Sequence, residues 1–320
     1  MNLRSNNMNC LVTGATGFIG TALINRLVEN NETVIALVHH KSITHHIDTV
    51  NYVSGDITDK KITDVITRNI DVVFHCAALV KDYGPKKQFY EINVQGTKNL
   101  VSSCKKHGIK RFIFLSHIQQ QPKPSMTNYS KTKLLAEKYL IDECRNNGFP
   151  IIIIRPGNVY GPGATTWVLR PVDSIKKDRI ALIDHGSGIF HHTYIDNLID
   201  ALIKAMQKDD IIGETFNITD GDETVSWGDY LNDLSHMVAN RPISKNLSKP
   251  VALFIGYLMM GLYYVFRIKP WVSPGAVRFF TNKTHVSIGK AEKLLEYQPR
   301  IDYQEGIKRT KQWLQNKNFI

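Results

Sequence analysis

A doubly wound α/β fold around a parallel sheet is the architecture that this 320-residue sequence predicts. Short, almost continuously apolar runs alternate with longer amphipathic stretches, which is typical of strands buried on both faces of a parallel sheet. The first run leads into a glycine-rich turn and then a helical pattern. We therefore predict a dinucleotide-binding domain of Rossmann type over 8–160. We predict a flexible tail over 1–7 before this domain. After it we predict a smaller C-terminal substrate-binding lobe over 161–320, with segments that return to the first domain.

The elements follow one another regularly in the first half of the chain. The predicted strands occupy 9–13, 33–38, 50–53, 72–76, 112–116 and 151–155, and the main helical patterns between them occupy 18–29, 86–107 and 129–146. After about Tyr160 the pattern weakens, and later helices are predicted at 196–207, 227–237 and 303–314. Ligands of such sheets bind at the carboxyl ends of the strands, so polar residues that follow a strand are the candidates for function.

Composition and charge narrow the class of protein. The net charge of +11 favours anionic partners. The basic residues form no tract interleaved with aromatics, so nucleic acid is not a predicted partner. The four cysteines form no C-x-x-C pair, which predicts reduced thiols, and no metal site is predicted. The N-terminus has no apolar signal region, which favours a cytoplasmic location.

The glycine turn is the first candidate site. LVTGATGFIG places Gly14, Gly17 and Gly20 between a strand and a helix. Small residues there let the backbone approach a pyrophosphate, and the helix N-terminus offers free N–H groups. We assign Thr16, Phe18 and Ile19 to the same cofactor contact.

The end of the second predicted strand bears on which dinucleotide binds. An acidic residue there would accept from the ribose of NAD, but ALVHHKS offers His39, His40 and Lys41 instead. These side chains favour NADP(H), with NAD(H) as the other candidate, and the alternative is that they are solvated surface residues. Asp56, after the third strand, is a candidate for the adenine amino group, and capping of the next helix is its other role. Both roles are compatible.

Tyr129 and Lys133 are the candidates for proton transfer. They stand four residues apart in NYSKTKLLAEKYL and would share one face of a helix. A nearby ammonium favours the phenolate form of a tyrosine, which can then exchange a proton with a substrate oxygen. The alternative is a surface helix pair, which the position behind a dinucleotide-binding turn disfavours.

Taken together, these motifs resemble an extended short-chain dehydrogenase/reductase of the epimerase/dehydratase family. The matching pieces include TGATGFIG, SGDITD, HCAALV, FIFLS, YSKTK, IIIIRPGNVYGPG and HHTYIDNL, and they extend from Asn9 to Leu314. Within that superfamily the chain is most similar to the 3β-hydroxysteroid dehydrogenase-like group, for which AALVKDYGPKKQFYEINVQGT is the most specific piece.

The resemblance implies roles by position. It assigns Tyr129 as the acid/base, Lys133 as its partner and Asn93 as a polar anchor inside a helix, and it implies a homodimer. The implied cofactor contacts are Gly14, Gly17 and Gly20 at the pyrophosphate, Asp56 and Ile57 at adenine, Ala77, Ala78 and Leu79 along the adenosine and ribose, and Pro156, Gly157, Asn158 and Val159 beside the nicotinamide.

The strand RFIFLSH departs from the family pattern. Such strands end in two adjacent hydroxyl residues, of which the second donates a hydrogen bond to the substrate oxygen. Here Ser116 takes the first place and His117 the second. Three interpretations remain: Ser116 reaches the substrate, His117 replaces the hydroxyl, or the donor is lost. His117 as a satisfied buried or loop histidine is the structural alternative.

The run over 251–266 has no charged residue and is flanked by lysine and arginine. Sixteen helical residues span about 24 Å, short of the ~30 Å hydrocarbon core of a bilayer. The run therefore predicts either a helix over an apolar pocket or a segment that lies on an anionic membrane, two interpretations that are compatible.

The resulting functional hypothesis is an NADP(H)-preferring oxidoreductase that interconverts a ketone and a secondary alcohol on a hydrophobic small molecule. A nucleotide-sugar epimerase or dehydratase is the second hypothesis, although His117 and Ile118 replace the Asp-Glu pair of a dehydratase. A cofactor-binding scaffold with weak catalysis is the third.

Overall fold

The computed structural model describes residues 7–39, 46–81, 83–118 and 126–320. The predicted tail over 1–7 thus lies outside the described residues except for its last position. Over the described chain the strands are β1 (Asn9–Thr13), β2 (Thr33–Val38), β3 (Val50–Ser54), β4 (Val72–His75), β5 (Arg111–Leu115), β6 (Ile151–Pro156), β7 (Asn158–Tyr160), β8 (Leu182–Ile183), β9 (His192–Tyr194), β10 (Thr215–Ile218) and β11 (Asn246–Leu247).

Seven of these strands form one parallel sheet in the order β3-β2-β1-β4-β5-β6-β10, which confirms the predicted doubly wound Rossmann-type fold. Strand order reverses between β1 and β4, which pair in the register Thr13 with His75. The six predicted strands are all present. The seventh, β10, comes from the later part of the chain and was not among them; it is a short strand that pairs with β6.

The helices of the described chain are α1 (Phe18–Glu29), α2 (Lys60–Ile66), α3 (Lys86–Tyr90), α4 (Thr97–His107), α5 (Asn128–Asn147), α6 (Arg170–Lys176), α7 (Ile195–Gln207), α8 (Trp227–Ala239), α9 (Lys249–Phe266), α10 (Pro274–Phe280), α11 (Gly289–Leu295) and α12 (Tyr303–Asn316). The prediction of one uninterrupted α-helix over 86–107 is wrong. A π-helical segment, Glu91–Gly96, separates α3 from α4.

The core lies on both faces of the sheet because successive strand residues point to opposite sides. In β6, Ile152 and Ile154 join the larger apolar cluster, whereas Ile151 and Ile153 join the cluster under α4 and α5. The four cysteines are free thiols, as their spacing predicts.

Helix α5 is held at both ends. Its first turn is capped by Thr127, whose Oγ1 accepts from the backbone N–H of Ser130 at 3.1 Å. Its C-terminus ends at Gly148, which adopts a left-handed φ of 64° that glycine tolerates without strain. The buried face of the helix carries Thr132, Lys133, Ala136, Glu137 and Leu140. The candidate Lys133 therefore faces the protein interior rather than solvent.

Candidate active site

The glycine turn packs directly against the end of β4. Gly14 has a φ of +70°, and a Cβ on it would lie 2.8 Å from the backbone nitrogen of Ala77. A Cβ on Gly20 would lie 2.3 Å from the carbonyl oxygen of Gly14. Both positions therefore require glycine. Gly17 is exposed, and its neighbours Thr16, Phe18 and Ile19 are partly buried at the start of α1.

A hydrogen-bonded chain fixes the ends of β1 and β4 at the point where strand order reverses. The Thr97 hydroxyl donates to the carbonyl of Asn93, so it can accept from His75 Nε2 at 2.9 Å. His75 Nδ1 then accepts from the Thr13 hydroxyl at 2.7 Å, and the same Thr13 oxygen accepts from the N–H of Ala77. Burial, together with the charge of Lys133, lowers the pKa of His75 to about 3, so this ring is neutral and structural.

The predicted adenosine side brings Asp56 and His39 together. The Asp56 carboxylate lies 3.1 Å from His39 Nε2 and accepts from the N–H of Thr58 at 2.8 Å. Burial opposes its charge, but these hydrogen bonds and the neighbouring His39 lower the pKa of Asp56 overall. The alternative role of Asp56 as the cap of α2 is wrong, because Asp59 caps that helix through its contact with the N–H of Lys61.

The remaining predicted adenosine contacts lie at the carboxyl ends of β3 and β4. Ile57 is buried against Gly96, and Ala78 and Leu79 are partly buried after β4. Leu79 is fixed by Asn93, which accepts from its N–H at 2.7 Å. His40 and Lys41, which the sequence assigned to the cofactor, lie outside the described residues.

On the predicted nicotinamide side, Pro156, Asn158 and Val159 are buried and Gly157 is partly buried. A Cβ on Gly157 would lie 2.2 Å from the carbonyl oxygen of His191, so the position requires glycine. Asn158 and Val159 begin β7, which pairs with β9. The Nδ2 atom of Asn158 is buried and has no hydrogen-bond partner among the described residues.

Tyr129 and Lys133 occupy the buried side of α5, next to β5. Lys133 is 2% exposed, and its ammonium lies 3.8 Å from the ring centroid of Phe114, a cation–π contact. Burial lowers the pKa of Lys133 to about 7, although nearby Glu137 opposes the shift. Burial and the negative charge of Glu137 raise the pKa of Tyr129 well above its ordinary value. At neutral pH the phenol holds its proton.

Glu137 is a site residue that the sequence analysis missed. It is 1% exposed and accepts a bidentate pair from Arg155 of β6, with the Nε–Oε1 distance at 2.9 Å. Tyr129, Lys133 and Glu137 stand at four-residue intervals on one helix face. The same spacing in the sequence would have predicted that Glu137 lies on the face of Tyr129 and Lys133. Its pairing with Arg155 could not be predicted, because it depends on the fold.

Ser116 and His117 follow directly after β5, and His117 lies beside Tyr129. The Ser116 hydroxyl is buried and lacks a hydrogen-bond partner in the described part of the chain. The His117 ring lies with its centroid 5.0 Å from that of Tyr129. Burial, with the charges of Lys133 and Arg155, lowers the pKa of His117 to about 3, so its imidazole is neutral at pH 7.

A chain of hydroxyls bears on which His117 nitrogen carries the proton. Thr127 Oγ1 donates to Ser130 Oγ at 3.2 Å, and Ser130 Oγ lies 3.1 Å from His117 Nε2. A Ser130 hydroxyl that donates to Nε2 leaves the proton of the neutral ring on Nδ1. That atom is buried and has no partner among the residues described.

These features fit a dinucleotide. The close-packed Gly14 and Gly20 leave the start of α1 accessible to a pyrophosphate. Ser116, His117 and Asn158 each have a buried polar atom without a partner among the described residues, and they lie where the nicotinamide and substrate would bind.

Comparison with known proteins also indicates a dinucleotide-binding protein. The NAD-dependent epimerase/dehydratase family matches residues 10–219. A decarboxylating sterol-4-alpha-carboxylate 3-dehydrogenase of Candida albicans is 28% identical, over 95% of this chain and 97% of its own. A 2-alkyl-3-oxoalkanoate reductase of Stenotrophomonas maltophilia is 26% identical, over 95% and 98%. The structure of UDP-glucose 4-epimerase from Thermotoga maritima, with UDP-glucose, matches with a TM-score of 0.77 and 22% identity over 97% and 100% of the two chains, which shows the shared fold.

Proposed function

The chain belongs to the NAD-dependent epimerase/dehydratase family, and from this premise we propose that it interconverts a secondary alcohol and a ketone on a hydrophobic, sterol-like or lipid-like substrate. The observation that carries the proposal is the partly buried Tyr129 and the buried Lys133 on one face of α5, close to the end of β5, where Ser116 and His117 each have a buried polar atom without a partner among the described residues. Relatives over nearly the whole chain are named as a dehydrogenase and a reductase, which supports oxidoreduction.

The names of two relatives support a narrower substrate class. A sterol-4-carboxylate oxidised at C3 and a 2-alkyl-3-oxoalkanoate share one chemical arrangement. In both, the reacting carbon is next to a carbon that carries a carboxylate and an apolar substituent. We therefore propose a 3-hydroxy or 3-oxo acid with an apolar 2-substituent as the substrate of this chain. A net charge of +11 is compatible with an anionic substrate.

The cofactor would be held by Gly14, Gly17 and Gly20 at its pyrophosphate and by Asn158 and Lys133 near its nicotinamide. When bound, it supplies or accepts the hydride. Tyr129 exchanges the proton at the substrate oxygen. A tyrosine phenol is already protonated at pH 7, and burial raises the pKa of Tyr129 further, so Tyr129 can deliver a proton when a ketone is reduced. In the oxidative direction the protonated Lys133 favours the phenolate that must form.

Glu137 and Arg155 act through Lys133 rather than on the substrate. The Glu137 charge raises the pKa of Lys133 against the effect of burial. Arg155 holds that carboxylate in place by its bidentate contact. The pair thereby keeps a larger fraction of Lys133 in the charged form at neutral pH. We assign both as positioning residues.

His117 replaces the usual hydroxyl as the donor to the substrate oxygen in this proposal. Its support is the neutral ring beside Tyr129 and the hydroxyl chain from Thr127 and Ser130 that leaves Nδ1 protonated. The unpartnered Ser116 hydroxyl is the other candidate.

NADP(H) is the cofactor form that we propose is preferred. The end of β2 carries His39 rather than an acid, and His40 and Lys41 follow it. Equilibrium titration of the full chain would give a lower dissociation constant for NADPH than for NADH. Tighter binding of NADH would contradict the preference while leaving the reaction type intact.

A substrate panel tests the proposed reaction. The full chain is mixed with NADPH or NADH and one of three compounds: a 2-alkyl-3-oxo acid, a 3-ketosteroid without a carboxylate, or UDP-glucose. We expect cofactor oxidation with the first two, with kcat/KM highest for the oxo acid. Conversion of UDP-glucose to UDP-galactose would support an epimerase instead. Cofactor binding without turnover of any member would support a scaffold.

A further inference from the structure

Exposed apolar side chains are concentrated in one part of the described chain. The described chain has fifteen exposed large hydrophobic residues, and nine of them fall within 251–271. This concentration is a patch and not the scatter of single apolar residues that is normal on protein surfaces. We call these nine residues the apolar patch: Val251, Phe254, Tyr257, Leu258, Tyr264, Val265, Phe266, Ile268 and Trp271. Phe254 is 71% exposed and Trp271 is 65% exposed.

Seven of the nine patch residues lie on α9, and the opposite side of this helix packs on the protein. Val251, Phe254, Leu258 and Val265 recur at spacings of three, four and seven residues, which align on one side of a helix. Ala252 and Gly256 are buried on the opposite side against α10. A Cβ on Gly256 would lie 3.0 Å from the backbone nitrogen of Pro274.

The charged residues of the chain segment that carries the patch all have one sign. Between Asp233 and Glu292 the sequence has no acidic residue, but it has eight lysines and arginines. Four of these, Lys249, Arg267, Lys269 and Lys283, have no ion-pair partner among the described residues and are exposed. Apolar residues rimmed by unpaired cations complement a surface that is apolar inside and anionic outside.

We propose that α9 and the patch residues after it dock onto an anionic lipid surface, with the helix lying in the plane of the interface. Among the described residues α9 is the one candidate for a membrane span by length and composition. Its 18 residues reach about 27 Å, short of the ~30 Å hydrocarbon core. Seven residues then separate it from α10, which returns to the middle of α9 at Gly256. That return keeps both ends of α9 on the same side of a bilayer.

The docking helix also contacts the loop that leads to the candidate active site. The Tyr263 ring of α9 lies 5.3 Å from the ring of Tyr83, edge to face. In the same loop, the carbonyl oxygen of Gly84 accepts from Asn128, the residue before Tyr129. A lipid-like substrate that leaves the membrane beside α9 would therefore meet the loop next to the catalytic helix. This route, unlike the docking itself, rests on the proposed function.

Co-sedimentation with vesicles tests the docking without any substrate. The full chain is incubated with phosphatidylcholine vesicles that contain either no phosphatidylserine or about a third of it, at 0.1 M and 1 M salt. We expect the protein to sediment with the anionic vesicles at low salt and to bind the neutral ones about tenfold less, because each lysine or arginine contributes to binding near an anionic surface. High salt should weaken the binding by screening.

Two pairs of variants separate the apolar and the charged contributions. Phe254→Asp/Leu258→Asp should abolish sedimentation, whereas Val65→Asp, at an exposed apolar residue of α2, should not. Lys249→Glu/Lys269→Glu should weaken binding about tenfold or more. The control Lys311→Glu/Lys317→Glu changes the same charge at exposed residues on and just after α12 and should bind like the parent. Thermal unfolding checks that each variant folds.

Three results would overturn the docking. The parent could remain soluble with anionic vesicles at low salt, or the patch variant could sediment as well as its control. The patch could instead bury itself between two copies, so that the parent is a dimer that ignores vesicles and the patch variant is a monomer. Each result leaves the proposed reaction untouched, because no step of the assay requires turnover.

Discussion

At the scale of residues, His117 stands where the family pattern has a hydroxyl residue, so its role as the donor to the substrate oxygen is the first to test. Its Nε2 lies 3.1 Å from Ser130 Oγ, and a Ser130 hydroxyl that donates to Nε2 leaves Nδ1 as the nitrogen that donates. Asparagine places an N–H near the Nδ1 position, and glutamine places one near Nε2. We predict that His117→Asn retains most of kcat, whereas His117→Gln and His117→Ala lose about 10²-fold, the typical loss of one oxyanion donor.

The matched control for this series is Ser116→Ala, which should change kcat little. If His117→Ala turned over like the parent while Ser116→Ala lost activity, the donor would be Ser116. Steady-state rates with the oxo acid of the panel give the comparison.

Glu137 yields a prediction about the pH profile. Because its charge raises the pKa of Lys133, Glu137→Gln should lower that pKa. Lys133 would then lose its proton at a lower pH, so the alkaline decline of the oxidative rate should begin at lower pH than in the parent. The control is Glu143→Gln, which removes a carboxylate from the same helix, where it pairs with Lys105 on the other flank. A loss of kcat with an unmoved alkaline limb would indicate a purely structural Glu137.

Burial of Lys133 also predicts how stability depends on pH. Its pKa falls from about 10.4 in the unfolded chain to about 7 in the fold. Between these values the unfolded chain binds the extra proton, so the free energy of unfolding rises with pH, by up to about 1.4 kcal/mol per unit from this group. The variant Lys133→Met lacks this dependence. The parent should therefore gain stability relative to Lys133→Met between pH 6 and 9.5.

Thermal or urea unfolding of both proteins without cofactor gives this difference, in which the other titrating groups cancel. A parent-to-variant difference that stays constant from pH 6 to 9.5 would contradict the shifted pKa.

Not every residue role could be predicted from the sequence. The spacing of Tyr129 and Lys133 predicts that they share one face of a helix, and both lie on α5, whereas their catalytic roles stay predictions. Asp59 caps α2, and not Asp56. The sequence could not distinguish the two, because both aspartates lie in the turn between strand and helix and either could accept from the free N–H groups. The pairing of His39 with Asp56 depends on β2 and β3 lying side by side, which is a long-range contact.

At the scale of elements, the helix predicted over 86–107 is interrupted, which its sequence pattern did not indicate. Its polar and apolar residues fit one helix, but the π-helical segment Glu91–Gly96 inserts an irregular turn. Asn93 in that segment is buried, accepts from the N–H of Leu79 and donates to the Thr132 hydroxyl at 3.0 Å. The irregular turn therefore accompanies a side-chain bridge between the loop after β4 and the catalytic helix.

Removal of this bridge should destabilise the protein and disturb the site. Asn93→Ala leaves the N–H of Leu79 without its acceptor, at a cost of about 1–3 kcal/mol for each buried group left unpaired. We predict a loss of about 2–4 kcal/mol in the free energy of unfolding, together with weaker cofactor binding. Gln95→Ala, in the same segment but only partly buried, should cost under about 1 kcal/mol. Equal losses for the two variants in urea unfolding would argue against the bridge.

At the scale of the whole molecule, the sheet order was the most predictable feature. Continuous apolar strands and a glycine turn after the first of them suffice for the switch point between β1 and β4. The position of β10 could not be predicted in the same way, because a four-residue strand late in the chain joins the sheet only through its pairing with β6. The homodimer and the cytoplasmic location stay predictions.

Turnover by Tyr129→Phe tests most directly whether this chain is an oxidoreductase whose Tyr129 transfers the proton at a 3-oxo or 3-hydroxy group. The measurement is cofactor oxidation with a 2-alkyl-3-oxo acid at pH 7 for the parent and this variant, with cofactor affinity determined in parallel. We expect measurable turnover by the parent and a loss of about 10²–10⁴-fold in the variant, with cofactor affinity nearly unchanged. Undiminished turnover by Tyr129→Phe would contradict it.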